Sequence, residues 1–346
     1  MTHVLTEQPL RLAGRALRTV GQARIYVCGV TPYDVTHLGH AATFVWVDTL
    51  VRVLRRTGVA PVVCRNITDL DEDLLHAAEA AGATYDSFAA VNQFRFDHDM
   101  AALGVRAPQH QPRARTHVEQ VVMLARALVE NGSAYADATG VHLPGRAIGE
   151  DEPDVTVWSP GGPGGPAWPS PWGPGRPGWH AECAAMALDV LGPAIDILAG
   201  GSDLAHPHHA AQVALAEAAT GVTPFARAQF HVGTVGLSGA KMAKSTGNLV
   251  LVSDLLARHS PAAIRMLLLD RPYDTPWEFV ESDVAAAAAR AEALFAAAAR
   301  PGSADAPVNE VVLRLLDDLD VTGATQVALE AGGEAAREAI RLLGLA

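Results

Sequence analysis

A chain of 346 residues, 49% of them hydrophobic, has apolar material for one large core, or for a core domain with a smaller companion. Its net charge of -12, with no block of basic residues, argues against nucleic acid as a partner and favours small-molecule substrates. No run of about 18 apolar residues is present to span a membrane. The opening MTHVLTEQPLRLAGRALRTV lacks an apolar stretch leading to a small-residue cleavage site, so a cytoplasmic protein with no membrane partner is expected.

ARIYVCGV, Ala23 to Val30, is a short apolar and β-branched run that predicts a strand. After a polar turn, GHAATFVWVDTLVRVLRRTG repeats its apolar residues at helical spacing, and APVVCRNIT, Ala60 to Thr68, predicts a second strand. This order reads as a βαβ unit with a parallel pair. Helical patterns follow from about Asp71 to Asn131. From Leu143 to Gly178, Pro, Gly and Trp dominate, which argues against regular helix or central strand; the stretch reads as an ordered active-site loop or a shortened connection. A second α/β half follows: a helix from about His180, the strand AIDILAG (Ala194 to Gly200), a helix from about His208, and the strand AQFHVGTV (Ala228 to Val235). Beyond them only helix is expected, broken near Arg271 to Thr275 and Arg300 to Pro307 and ending in a small bundle.

Two stretches carry chemistry. CGVTPYDVTHLGH, Cys28 to His40, leaves the first strand and enters the first helix, where an open α/β sheet binds ligands. His37 and His40 bracket Gly39 at a helix N-terminus, where free N–H groups and the dipole favour phosphate. SGAKMAKSTGN, Ser238 to Asn248, holds Lys241 and Lys244, the chain's only lysines beside 24 arginines. Two ammonium groups on a Gly/Ser-rich loop can grip a polyphosphate as point charges.

HLGH and KMAKS resemble the HIGH and KMSKS signatures of class I aminoacyl-tRNA synthetases. YVCGVTPYDVTHLGHAATF, RNITDLDE, SPWGPGRPGWHAECAAMAL, GGSDLAHPHH and KMAKSTGNLVLVS resemble the cysteinyl-tRNA synthetases, and still more closely their tRNA-independent relatives, the mycothiol cysteine ligases. The resemblance spans about residues 25 to 270. It implies an α/β fold, a Rossmann-like parallel sheet with a C-terminal helical bundle. A catalytic domain would cover 1–270, with a shortened connective region at about 131–178, and a helical domain 271–346.

The resemblance places zinc ligands on Cys28, Cys183 and His208. Two thiolates and an imidazole leave a tetrahedral Zn2+ one open position, which a substrate thiolate fills far better than a hydroxyl. It further places Trp179 in a cysteine pocket, Gly29, Val30, Thr31, Thr43, Asn66, Ile67 and Thr68 around a cysteinyl adenylate, Gly201, Ser202 and Asp203 at the ribose, and Val235 at adenine. Read without it, Cys28, Cys64 and Cys183 are small core residues, Trp179 a core aromatic, Thr68 a helix cap and Asp203 a turn residue. His206 or His209 could stand in for His208. The acidic run Asp69, Asp71, Glu72 and Asp73 suits a helix start and is assigned no metal.

The implied activity is ATP-dependent formation of cysteinyl-AMP, with Mg2+ accompanying ATP, and transfer of cysteine to an amine such as glucosaminyl-inositol by a monomer. His37, His40, Lys241 and Lys244 would stabilise phosphate charge. The chain departs from the pattern at Ala210, Gln212 and Ala243, and lacks an E-R-G-G-D-P segment before the Trp-rich stretch. A paralogue that loads another amine or carrier therefore stands beside this reading, with tRNA charging and non-catalytic cysteine or nucleotide sensing behind it.

Overall fold

The computed structural model describes residues 8–19, 21–32, 36–70, 72–162, 166–242, 247–302 and 305–346. Ala243 and Lys244 of the lysine loop, and Asp71 of the acidic run, lie outside the described residues.

A hairpin of β1 (Leu10–Leu12) and β2 (Arg15–Leu17) precedes β3 (Gln22–Val30), α1 (Leu38–Arg56) and β4 (Ala60–Ile67). Next come α2 (Glu72–Ala80), α3 (Tyr85–Ala102) and α4 (Val118–Glu130). The strands β5 (Tyr135–Asp137), β6 (Gly140–Leu143), β7 (Val155–Pro160) and β8 (Gly175–Pro177) lead into α5 (Trp179–Leu191) and β9 (Ile195–Gly201). A kinked segment, Ala205–His209, runs into α6 (Ala210–Thr220) and β10 (Ala226–Val232). Short strands β11 (Val235–Leu237) and β12 (Ala240–Lys241) flank the start of the lysine loop. The chain ends with α7 (Val252–Leu256), α8 (Pro261–Leu269), β13 (Trp277–Glu278), α9 (Glu281–Ala298), α10 (Asp305–Leu316), α11 (Val321–Ala331) and α12 (Gly333–Leu343).

The main sheet is parallel throughout in the order β10-β9-β3-β4, so β3 leads to β4 on one side while β9 leads to β10 on the other. The strand order reverses between β3 and β9, and the crevice outside their carboxyl ends is where such sheets bind ligands. α1 covers the sheet because its apolar positions recur at helical spacing: Leu38, Ala41, Ala42, Val45, Leu50 and Val53 are all buried. One hydrophobic cluster joins α1 and the sheet to α8, α9, α10, α11 and α12. Arg265 of α8 is buried there, donating to the carbonyls of Leu103 and Leu343 and to Asp48 of α1.

A second cluster lies under a four-stranded antiparallel sheet, β5-β6-β7-β8, where Val141, Val157 and Trp158 pack with Ala184 of α5 and Leu215 of α6. This overturns the reading of Leu143 to Gly178 as free of central strand: β7 has a partner on each side. Its β-branched run, Val155 to Val157, carries the pairing, while Pro160 and Pro177 stand at a strand end and on the edge strand, where a missing N–H costs nothing. The expectation of helix alone after the lysine loop also fails, since β13 pairs in parallel with β11. Among the described residues, no helix is long and apolar enough to cross a membrane.

Candidate active site

The ends of β3, β4, β9 and β10 and the start of α1 surround a cavity of about 310 Å³. Cys28, Gly29, Val30 and Thr31 line it from the β3 end, and His37, His40 and Thr43 from α1. Asn66 and Thr68 reach it from the β4 end, and Trp179 and Cys183 from α5. Gly201, Asp203, His208, Val235 and Lys241 are the other expected residues in the lining. Two expected residues stand apart from the lining: Ile67 is buried, with its N–H donated to the Pro112 carbonyl, and Ser202 lies beside the cavity wall.

The two signature stretches are tied together by backbone. Leu38 N–H donates to the Val250 carbonyl at 2.9 Å, and Val252 N–H donates to that of Thr36 at 3.0 Å. His37 is thereby held beside the segment that follows the lysine loop, bridging Leu251. Its ring caps α1, with Nδ1 accepting the Gly39 N–H at 3.1 Å. A Cβ at Gly39 would lie 2.9 Å from that ring, which explains the glycine between the two histidines. The rings of His37 and His40 stack with centroids 3.8 Å apart. Burial, with His37 and Lys241 adding to it, lowers His40 to about 3, so at neutral pH it offers an N–H rather than a positive charge. Lys241 Nζ donates to Asp203 Oδ2 at 2.6 Å, across the cavity.

Deeper in, Cys28 Sγ, Cys183 Sγ and a ring nitrogen of His208 lie within 4.8 Å of one another, all three residues buried. Among the described residues this is the one group of such ligands so placed. Cys28 lies near the end of β3, and Gly29 follows because a Cβ there would sit 1.8 Å from the Asn66 carbonyl oxygen. Asn66 braces the pair: Oδ1 accepts the Gly29 N–H at 2.8 Å, and Nδ2 donates to Cys183 Sγ at 3.5 Å. Burial pushes the Cys28 thiol up, whereas its hydrogen bond to Cys183 holds the latter well down, helped by His208. Trp179, one turn before Cys183 on α5, stacks on the His208 ring at 4.1 Å while remaining 49% exposed. Cys64 is wholly buried, its thiol pushed up to about 12 chiefly by burial.

Several residues here carry no sequence signal of their own. Asn248 Nδ2 sits 3.1 to 3.3 Å from the carbonyls of Leu237, Ala240 and Lys241, closing the base of the lysine loop. His180 Nδ1 lies 2.7 Å from His208 Nδ1, and His209 bridges Cys28 Sγ at 3.2 Å to His231 at 2.8 Å. His206 pairs instead with Glu152, away from the thiols. Asp69 is taken up by the Arg115 N–H and the Arg113 guanidinium.

The family described as tRNA synthetases class I (C) catalytic domain matches residues 16–143 and 140–289. The L-cysteine:1D-myo-inositol 2-amino-2-deoxy-alpha-D-glucopyranoside ligase of Parafrankia sp. (strain EAN1pec) is 42% identical over 333 residues, covering 87% of this chain and 75% of that protein. The cysteine--tRNA ligase of Legionella pneumophila (strain Paris) is 38% identical over 290 residues, covering 76% of this chain and 63% of that one. In fold, the Mycobacterium tuberculosis methionyl-tRNA synthetase in complex with methionyl-adenylate superposes with a TM-score of 0.69 at 17% identity, over 94% of this chain and 82% of its own. By these matches the chain belongs to the class I (C) tRNA synthetase catalytic-domain family, within which it groups with the L-cysteine:1D-myo-inositol 2-amino-2-deoxy-alpha-D-glucopyranoside ligases, and it is a ligase.

Proposed function

We propose that the chain activates L-cysteine with ATP and transfers the cysteinyl group to an amine, with glucosaminyl-inositol as the acceptor. The observation that carries this is the Cys28, Cys183 and His208 cluster opening into the same cavity as His37, His40 and Lys241. A buried set of two thiols and an imidazole fits Zn2+, which prefers sulfur and nitrogen donors. Zinc held there would supply a Lewis acid selective for a substrate thiol over a hydroxyl.

The chain's own groups orient the reactants. Trp179 walls the sulfur end, and the Asp203 carboxylate suits ribose hydroxyls beside Gly201 and Ser202. Thr31, Thr43 and Thr68 offer hydroxyls around the adenylate, and Val235 faces the base. One carboxylate oxygen of cysteine attacks the α-phosphorus of ATP; the bond to the β-phosphate oxygen breaks, giving cysteinyl-AMP and pyrophosphate. His37 and His40, as neutral N–H donors, and Lys241 with Lys244, as cations, would stabilise the charge that builds on the phosphoryl oxygens, with Mg2+ accompanying ATP. The acceptor amine then attacks the cysteinyl carbonyl, forming the amide and releasing AMP and the amine proton.

ATP–pyrophosphate exchange across a panel of amino acids, followed by mass analysis with glucosaminyl-inositol, other amino sugars and cysteine tRNA as acceptors, tests the reading. Cysteine-dependent exchange with an amide of glucosaminyl-inositol supports it. No exchange in zinc-replete protein sinks it, and charging of tRNA alone overturns the acceptor. The shortened stretch between about Asn131 and Trp158, with no E-R-G-G-D-P segment before the Trp-rich stretch, favours a second reading, a sister ligase, which an amide formed only with another amine would establish.

A further inference from the structure

Lys241 stands on a hairpin whose turn is held from outside. Leu237 of β11 pairs with Ala240 of β12, so Ser238 and Gly239 form a two-residue turn, with φ of +58° and +81°. Both are left-handed, as tight hairpin turns require, and serine adopts that region less readily than glycine or asparagine. The Gly239 N–H donates to Glu278 Oε1 at 2.6 Å. Glu278 belongs to β13, where it pairs with Gly236, and Gly236 pairs on its other side with Lys241. Residues in register project their side chains to the same face of a sheet. Glu278 and Lys241 therefore flank a glycine, and the carboxylate leans into the gap: a Cβ at Gly236 would sit 2.2 Å from Glu278 Oε2. β13 is itself anchored, since the N–H groups of Trp277 and Phe279 donate to the carbonyls of Thr234 and Gly236 at 3.0 and 2.9 Å. The Arg271 guanidinium lies 3.6 Å over the Trp277 ring and donates to the Leu267 carbonyl of α8.

We propose that Glu278 is a positioning residue for the phosphate chemistry: its carboxylate clasps the hairpin turn across Gly236 and so sets where Lys241 holds its ammonium. This rests on Lys241 stabilising phosphoryl charge, as proposed above. The backbone bonds between β13 and β11 run only from Thr234 to Gly236, short of the turn, and the Glu278 side chain carries the tie out to the tip. A two-stranded hairpin left to itself is marginally stable. Pinned at its turn by Glu278 and at its base by Asn248, this one presents Lys241 at a fixed angle to Asp203, 2.6 Å from Nζ. The residue types suit the task. A carboxylate accepts from N–H more strongly than a neutral carbonyl does, and only glycine at position 236 leaves room for it. A continuous line of contacts thus runs from α8 through Arg271, Trp277 and Glu278 to the turn beside Lys241.

The test is cysteine-dependent ATP–pyrophosphate exchange by the zinc-replete full chain, as wild type, Glu278→Ala, Glu278→Gln, Gly236→Ala and Lys241→Ala, and as the double variant Glu278→Ala with Lys241→Ala. Glu278→Ala and Gly236→Ala should each lower kcat about 10- to 100-fold, the scale for a misplaced catalytic group. The KM for cysteine should stay within about twofold, since the sulfur end is untouched. Glu278→Gln keeps an acceptor for the Gly239 N–H and should recover kcat to within about threefold of wild type. In the Lys241→Ala background, Glu278→Ala should slow exchange by less than about twofold, because the group it positions is gone. Wild-type kcat in Glu278→Ala, a Glu278→Gln as slow as Glu278→Ala, or an undiminished loss in the Lys241→Ala background overturns the inference. So does a urea midpoint that falls in step with the rates, which would make Glu278 a residue of stability alone. Wild-type protein without exchange overturns the activation reading itself, so the two failures are distinguishable.

Discussion

His37 has two duties that substitution can separate. Its Nδ1 caps α1 through the Gly39 N–H, which in the neutral ring puts the proton on Nε2, the atom proposed to donate to phosphate. Asparagine is among the best N-cap residues and alanine among the poorer ones, the difference being about 1 kcal/mol. Loss of one preorganised donor to a developing oxyanion costs about 100- to 1,000-fold in rate, or roughly 3–4 kcal/mol of barrier. His37→Asn should therefore unfold in urea within about 0.5 kcal/mol of wild type yet slow cysteine-dependent ATP–pyrophosphate exchange by about 100-fold or more. His37→Ala should show the same rate loss with about 1 kcal/mol less stability. If His37→Asn exchanges within tenfold of wild type, or if the two variants' rates differ in step with their stabilities, His37 is only a cap and the reasoning fails.

Removing Arg265 as Arg265→Met strands two buried carbonyls and breaks the contact with Asp48; a loss of about 3–5 kcal/mol is expected, read as a lower urea midpoint at unchanged slope. His40 titrates near 3 when folded against 6.5 in the free residue. A depressed value means stability is full above pH 6.5 and lost as pH falls toward 3, so His40→Asn should flatten the fall in unfolding free energy over that window relative to wild type. Trp179→Ala removes the stack on His208, worth about 1 kcal/mol. It should raise the cysteine KM roughly fivefold, with kcat little changed in steady-state exchange; an unchanged KM would remove Trp179 from the cysteine pocket.

The parallel sheet was legible because its strands are short β-branched runs with helices at 3.6-residue spacing between them. The Cys28, Cys183 and His208 cluster was legible only through family resemblance, since its members lie on β3, α5 and the segment before α6, with no spacing to betray them. β7 was missed because Pro and Gly on both sides swamp three β-branched residues, and β13 because two residues have no period. Asn248 ends a conspicuous loop, but what it does depends on three carbonyls that converge only after β11 and β12 pair. Gln212 stands out in the sequence only as a departure from the family pattern; that its buried Nε2 has no partner among the described residues is a fact of packing.

The Lys241 and Asp203 pair has a consequence for how the cavity responds to salt. Their link is a strut between the segment after β9 and the lysine loop, and a nucleotide seated there as proposed would have to part it. Nucleotide binding is thereby an exchange of partners: one internal ion pair is given up as new ones form. Dissolved salt weakens both sides of that exchange, so the ionic-strength dependence of ATP affinity should be shallower than the charge on a triphosphate suggests. An open basic groove captures its ligand and is steeply salt-sensitive; this cavity trades for it.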